Sequence, residues 1–73
     1  MSSKKIVIDT DRKKGLLFKV SESGGRFYAY KVNVGVITDD LKKVGESRSM
    51  EDALQIIKAS VDGSVRDIKM SDW

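Results

Sequence analysis

The sequence predicts a two-layer α+β domain. An antiparallel sheet of four or five strands, in the order β-β-β-β-α with an optional last strand, carries one helix on one face. Three observations lead there. Runs rich in β-branched and aromatic residues fill the first half of the chain, each bounded by Gly, Asp or Ser. One later stretch, between Ser49 and Gly63, repeats its apolar residues at helical spacing. No proline, internal repeat or linker interrupts the 73 residues, a length that suits a single domain.

The elements follow in order. Lys4-Lys5-Ile6-Val7-Ile8-Asp9 reads as a first strand, closed by a polar turn that ends at Gly15. Leu16 to Glu22 is the second strand, and the long run from Arg26 to Ile37 the third. Their register is argued from alternation. The apolar sets Leu16, Phe18, Val20 and Tyr28, Tyr30, Val32, Val34, Val36 share one sheet face only if Val20 opposes Tyr28. That pairing needs a three-residue loop, Ser23-Gly24-Gly25, with Gly25 in a left-handed bulge. A two-residue Gly24-Gly25 turn would oppose Val20 to Ala29 and break the match.

Thr38-Asp39-Asp40 supplies the next turn and Leu41 to Ser47 a fourth, shorter strand. Ser49 suits a helix N-cap, with Glu51 and Asp52 in the first turn where the helix dipole favours acids. Met50, Ala53, Leu54, Ile57 and Val61 form the stripe that faces the sheet, and Gly63 is expected to close the helix in a left-handed cap. Val65 to Ser71 completes the chain as an edge strand or a tail. The two ends, 1–3 and 71–73, are expected to be the least ordered.

Composition excludes several classes of function. With no cysteine and no histidine, the chain offers no disulfide, no thiolate nucleophile, no Ser-His-Asp arrangement and neither of the commonest zinc ligands. No glycine-rich phosphate loop or dinucleotide fingerprint occurs. Asp9-Thr10-Asp11 opens like a calcium loop, but Lys13 and Lys14 stand at its fifth and sixth positions and no glutamate closes it. The expectation is therefore a non-enzyme without metal or cofactor. No run approaches the length of a membrane span, the first residues lack an apolar leader, and the absence of cysteine suits a cytoplasmic protein.

Charge points to binding. The net charge is +3, unevenly spread: residues 1–31 hold eight basic and three acidic groups, residues 32–73 six basic and eight acidic. In the preferred register the sheet face away from the helix carries Leu17, Lys19 and Ser21 beside Phe27, Ala29 and Lys31, with Arg26 close by. The first strand adds either Lys5, the residue chosen for the site, or Lys4. An aromatic ring among cations is a small platform for stacking bases and neutralising phosphates, so the partner expected is single-stranded nucleic acid. Arg12, Lys13 and Lys14 at the first turn add non-specific phosphate contacts. A one-residue slip of the register would put Tyr28 and Tyr30 on that face instead. The order β-β-β-β-α is similar to that of single-strand-binding transcriptional coactivators, by topology alone and without their motif residues.

The alternative is a protein-interaction or regulatory module, with self-pairing as a dimer one form of it. Ile56 flanks the helical stripe, and Trp73 must fold back on the domain or stay exposed. Either residue would be hidden by packing along the helix flank or edge to edge through the last strand.

Overall fold

Two adjacent glycines set the arrangement of the central strands. The computed structural model describes residues 2–33 and 40–73. Strand β1 (Ser2–Thr10) is followed by β2 (Leu16–Ser23), β3 (Arg26–Asn33), β4 (Asp40–Ser47), helix α1 (Met50–Ser60) and β5 (Val65–Asp72). The strands form one antiparallel five-stranded sheet in the order β4-β3-β2-β1-β5. After β4 the chain crosses the sheet by way of α1, and β5 adds to the far edge beside β1. The expected α+β architecture is the observed one, fifth strand included. Val34 and Val36 of the expected third strand, its end at Ile37, and Thr38 and Asp39 of the following turn lie outside the described residues.

The β2–β3 register differs from expectation. Gly24 and Gly25 have φ of +60° and +78°, the paired left-handed conformation of a two-residue type I′ turn, whose twist matches the flanking strands. Ser23 therefore opposes Arg26, and Val20 opposes Ala29 rather than Tyr28. Every side chain of β3 is thereby turned to the other face from the one predicted. Phe27 and Ala29 face the helix, while Tyr28 and Tyr30 face away.

The physical reason is the space beneath the helix. Ala29 pairs with Gly45 on β4, and this patch of minimal side chains is where α1 rests. A Cβ on Gly45 would stand 2.8 Å from Cγ2 of Ile56, so the two backbones approach as closely as a bare glycine permits. Tyrosines at these positions would push the helix off. Packing of a helix on a sheet needs short side chains somewhere beneath it, and aromatic residues do not supply them.

Around that contact the core closes. Ile6, Ile8, Phe18, Val20, Ala29, Ala53 and Ile57 are buried together, with Leu16, Phe27, Val44, Met50, Leu54, Val61, Val65 and Ile68 packed around them. The helical stripe read from the sequence is the face that meets the sheet. Ser49 caps the helix as expected: its backbone is extended, and its Oγ accepts the Asp52 N–H at 3.1 Å. The C-terminal end differs. The helix stops at Ser60 with Val61 as an extended C-cap, and Gly63, at φ +86°, serves the reversing turn into β5 instead.

That turn is tied to the β1–β2 turn. The Asp11 N–H donates to the Ser64 carbonyl at 3.0 Å, and the Ser64 N–H donates to the Asp11 carboxylate at 2.9 Å. Within the β1–β2 turn, buried Thr10 accepts the backbone N–H groups of Arg12 and Lys13 on its hydroxyl. Asp9 accepts the Gly15 N–H at 2.8 Å. No helix among the described residues is long and apolar enough to cross a membrane.

Replacing Gly45 by Ala should cost about 1–3 kcal/mol, since Cγ2 of Ile56 is a branched methyl that cannot swing aside. Ser49→Ala should cost about 1 kcal/mol through the lost cap. Urea unfolding should show both as a lower midpoint with unchanged slope.

Candidate nucleic-acid interface

Because α1 occupies one face of the sheet, the other carries no helix among the described residues. The observed register places on it Lys5, Val7 and Asp9 of β1, Leu17, Lys19 and Ser21 of β2, and Tyr28, Tyr30 and Val32 of β3. Leu41, Lys43 and Glu46 of β4 and Asp67, Lys69 and Ser71 of β5 complete it. The rows of cross-strand neighbours give the face its character. One row runs Ser71, Lys5, Lys19, Tyr30, Lys43 across all five strands. The next, Lys69, Val7, Leu17, Val32, Leu41, is mostly aliphatic, and Val32 in it is buried apart from the helix-side core.

Trp73 joins this face at the end of β5, where its N–H donates to the Ser3 carbonyl at 3.3 Å. Its side chain is 52% exposed, and the Lys19 ammonium lies 4.8 Å from the ring centroid. Lys43 stands 5.1 Å from the Tyr28 centroid in the same manner. Each such cation–π contact contributes about 0.5–1 kcal/mol at an exposed site, and each holds a long lysine against the sheet instead of leaving it to wander. Three aromatic rings and four lysines thus share one face.

The electrostatics are uneven. Lys5 and Lys19 are direct cross-strand partners, an arrangement of like charges that costs stability. Ion pairs among the described residues join Lys4 to Asp72, and Arg26 and Lys43 to Glu46; neither Lys5 nor Lys19 has a carboxylate partner there. The central pair of the face is therefore uncompensated positive charge.

The residues singled out from the sequence separate into groups. Lys5 and Lys19 lie at the centre of the open face. Arg26 is also on it, beside the Gly24-Gly25 turn, but bridges to Glu46 at 3.3 Å. Phe27 and Lys31 do not join them, a correction that follows from the type I′ turn. Phe27 packs against the helix-side core and lines an apolar cleft of about 180 Å³ with Val20, Met50 and Met70. Lys31 rims a smaller cleft with Lys13, Leu16, Val61 and Asp62. Arg12, Lys13 and Lys14 are exposed at the β1–β2 turn. They lie beyond Asp9 and Asp67, roughly 16 Å along the strand from Lys5, so acids separate them from the lysine row.

Ile56, expected as a contact for a partner, is half-buried over Gly45 and serves the fold. Trp73, the other half of that reading, lies on the open face with Lys19. Tyr28 and Tyr30, expected on this face only for a register slipped by one residue, do stand on it, and Lys43 is a member that sequence reasoning missed. The Gly-Gly pair is the signal that could have found the tyrosines, because it favours a two-residue turn and that turn alone fixes which face they take. Lys43 follows because the β3–β4 register shifts between Ala29 and Tyr30, a bulge that places Val44 on the core side and Lys43 opposite Tyr30.

The helix-side cleft is a weaker candidate. It is smaller than the roughly 300–1,000 Å³ of typical ligand sites. Lys4 at its rim already holds Asp72 at 2.6 Å. Among the described residues no group of three His, Cys, Asp or Glu side chains is placed to hold a metal ion.

The Lys4 hydrogen bond, followed by its charge, lowers the Asp72 carboxyl below its ordinary value. The ion pair therefore contributes at and above the ordinary carboxylate pKa and is lost as pH falls through the lowered one. An NMR titration should find the Asp72 carboxyl below its ordinary value, and Lys4→Gln should return it toward that value. Comparison of the chain with family models, curated proteins and solved structures gives no match.

Proposed function

We propose that this domain is a non-catalytic module that binds single-stranded nucleic acid on its helix-free sheet face, in the cytoplasm. The observation that carries the reading is the Lys5–Lys19 pair, opposed across two strands without a carboxylate and flanked by Tyr30 and Trp73. Opposed lysines cost the free protein stability, and a polyanion offsets that cost by supplying the missing negative charge. Tyr28, Tyr30 and Trp73 offer ring faces to unpaired bases, each stacked base contributing about 1–3 kcal/mol. Stacking demands bases free of a duplex, so single strands are preferred, with little sequence specificity. Lys43 extends the cationic row toward the β4 edge. Arg12, Lys13 and Lys14 contribute at most peripheral phosphate contacts, being set beyond the Asp9–Asp67 row.

The protein-interaction reading through Ile56 draws less support, since that side chain is already packed on Gly45.

Fluorescence anisotropy with labelled single-stranded DNA, single-stranded RNA and duplex tests the proposal. Single strands should bind more tightly than duplex, and Tyr30→Ala or Trp73→Ala should lose about 1–3 kcal/mol at fixed salt. Lys5→Ala and Lys19→Ala should each flatten the slope of log K against log salt by about 0.7. Phe27→Ala should lower thermal stability and leave the affinity of the folded protein unchanged. No binding at low salt, or binding indifferent to Tyr30 and Lys19, would remove the proposal.

A further inference from the structure

The two edges of the sheet are not equivalent. Strand β4 carries the bulge at Val44 and lies beneath α1, and both features blunt an edge against further pairing. Strand β5 is not part of the seat of α1. Its own register shift is confined to its start, where Thr10 pairs with Val65 and Asp9 with Asp67, so that Arg66 is the extra residue. The strand pairs with β1 without a break from Asp67 to Asp72, and its outer side leaves backbone donors and acceptors for another strand. Its neighbouring side chains include Met70, 44% exposed, and half-buried Ile68.

The charges on β5 have an order of their own. Asp67 and Lys69 occupy the open face two positions apart, with Ile68 between them on the helix side. Asp67 is directly opposite Asp9 of β1, a pairing of like charges, and has no cation partner among the described residues. We propose that a second copy of the chain pairs with β5, antiparallel and two-fold symmetric, with Ile68 on the axis. In that register Asp67 of each copy faces Lys69 of the other.

Alternation of backbone hydrogen bonding allows only registers displaced in steps that keep like faces together. Moving the axis to Lys69 sets Lys69 against itself, and moving it to Asp67 sets Asp67 against itself and shortens the overlap. Centring on Ile68 alone joins opposite charges on the open face, within the part of β5 that begins at Asp67 and pairs regularly with β1. It also supplies Asp67 with the cation that the single chain withholds. The result is a continuous ten-stranded sheet in which Ile68 meets its own copy and Met70 is partly covered. This inference does not depend on the nucleic-acid reading and stands or falls separately.

Sedimentation equilibrium of the 73-residue chain, up to sub-millimolar concentration, should give twice the 8.1 kDa of one chain. A monomer at every concentration overturns the proposal. Asp67→Lys and Lys69→Asp should each raise the dissociation constant about tenfold, because two attractive pairs become repulsive, and the double exchange should restore it. Asp67→Lys also relieves the contact with Asp9, so its effect does not come from weakened folding. The chain has no cysteine, so single thiols report the register directly. Ile68→Cys should form a disulfide-linked dimer on mild oxidation, whereas Lys69→Cys, offset from its own copy, should not. Should Ile68→Cys fail to fold, an equimolar mixture of Asp67→Cys and Lys69→Cys chains should link across the same axis. A dimer indifferent to charge reversal also overturns the proposal, as does one in which Lys69→Cys cross-links and Ile68→Cys does not.

Discussion

The close seat of α1 on Ala29 and Gly45 governs the rest of the structure. A helix can approach a sheet only as near as the side chains beneath it allow, and here those are a methyl group and a hydrogen atom. Ile56 fills the space over Gly45, and Ala53 and Ile57 reach the buried set of Ile6, Ile8, Phe18 and Val20. Once Ala29 must face the helix, its neighbours Tyr28 and Tyr30 must face away. The Gly24-Gly25 turn supplies the same register from the chain itself. Packing and turn geometry agree, and this agreement between local and global preference is the mark of a well-specified fold.

The same constraint creates the open face. Two tyrosines displaced from the core meet Lys19 and Lys43 on neighbouring strands, and Trp73 comes back along β5 to lie against Lys19. The cation–π contacts hold rings and ammonium groups in one layer. The lysine row is electrostatically unfinished, as Lys5 and Lys19 repel without a carboxylate between them. The Asp9–Asp67 pair at the edge is unfinished in the opposite sense. Like charges set opposite one another in a sheet reduce stability. Two such pairs on one face are the features of this small domain that its own core does not explain, and both point outward to something of opposite charge.

Much of the architecture is legible in the residues. Ser49 with Asp52 three positions on marks the helix start, and the spacing of Met50, Ala53, Leu54 and Ile57 marks its buried face. Local chemistry accounts for both: a cap is a contact between near neighbours, and amphipathic spacing follows from the helical repeat. The choice of Lys5 over Lys4 is made by the pairing of β1 with β2. Lys19 stands on the face expected of it, because alternation within one strand is a local rule. Phe27 and Lys31 stand on the opposite one, because apolar matching treats Tyr as core. Tyrosine is as content on a half-exposed sheet as in an interior, so its position alone does not reveal which face it takes.

By itself, then, the sequence determined which segments become strands and helix, which helical face is buried, and that Ser-His-Asp, thiolate and cysteine–histidine metal chemistry are absent. These depend on residue type and on short periodicities. Only the tertiary structure decided the β2–β3 register, the location of β5 beside β1, and the membership of the open face. Each of those is a contact between residues far apart in the chain, settled by whether a side chain fits beneath a helix that no local pattern can position.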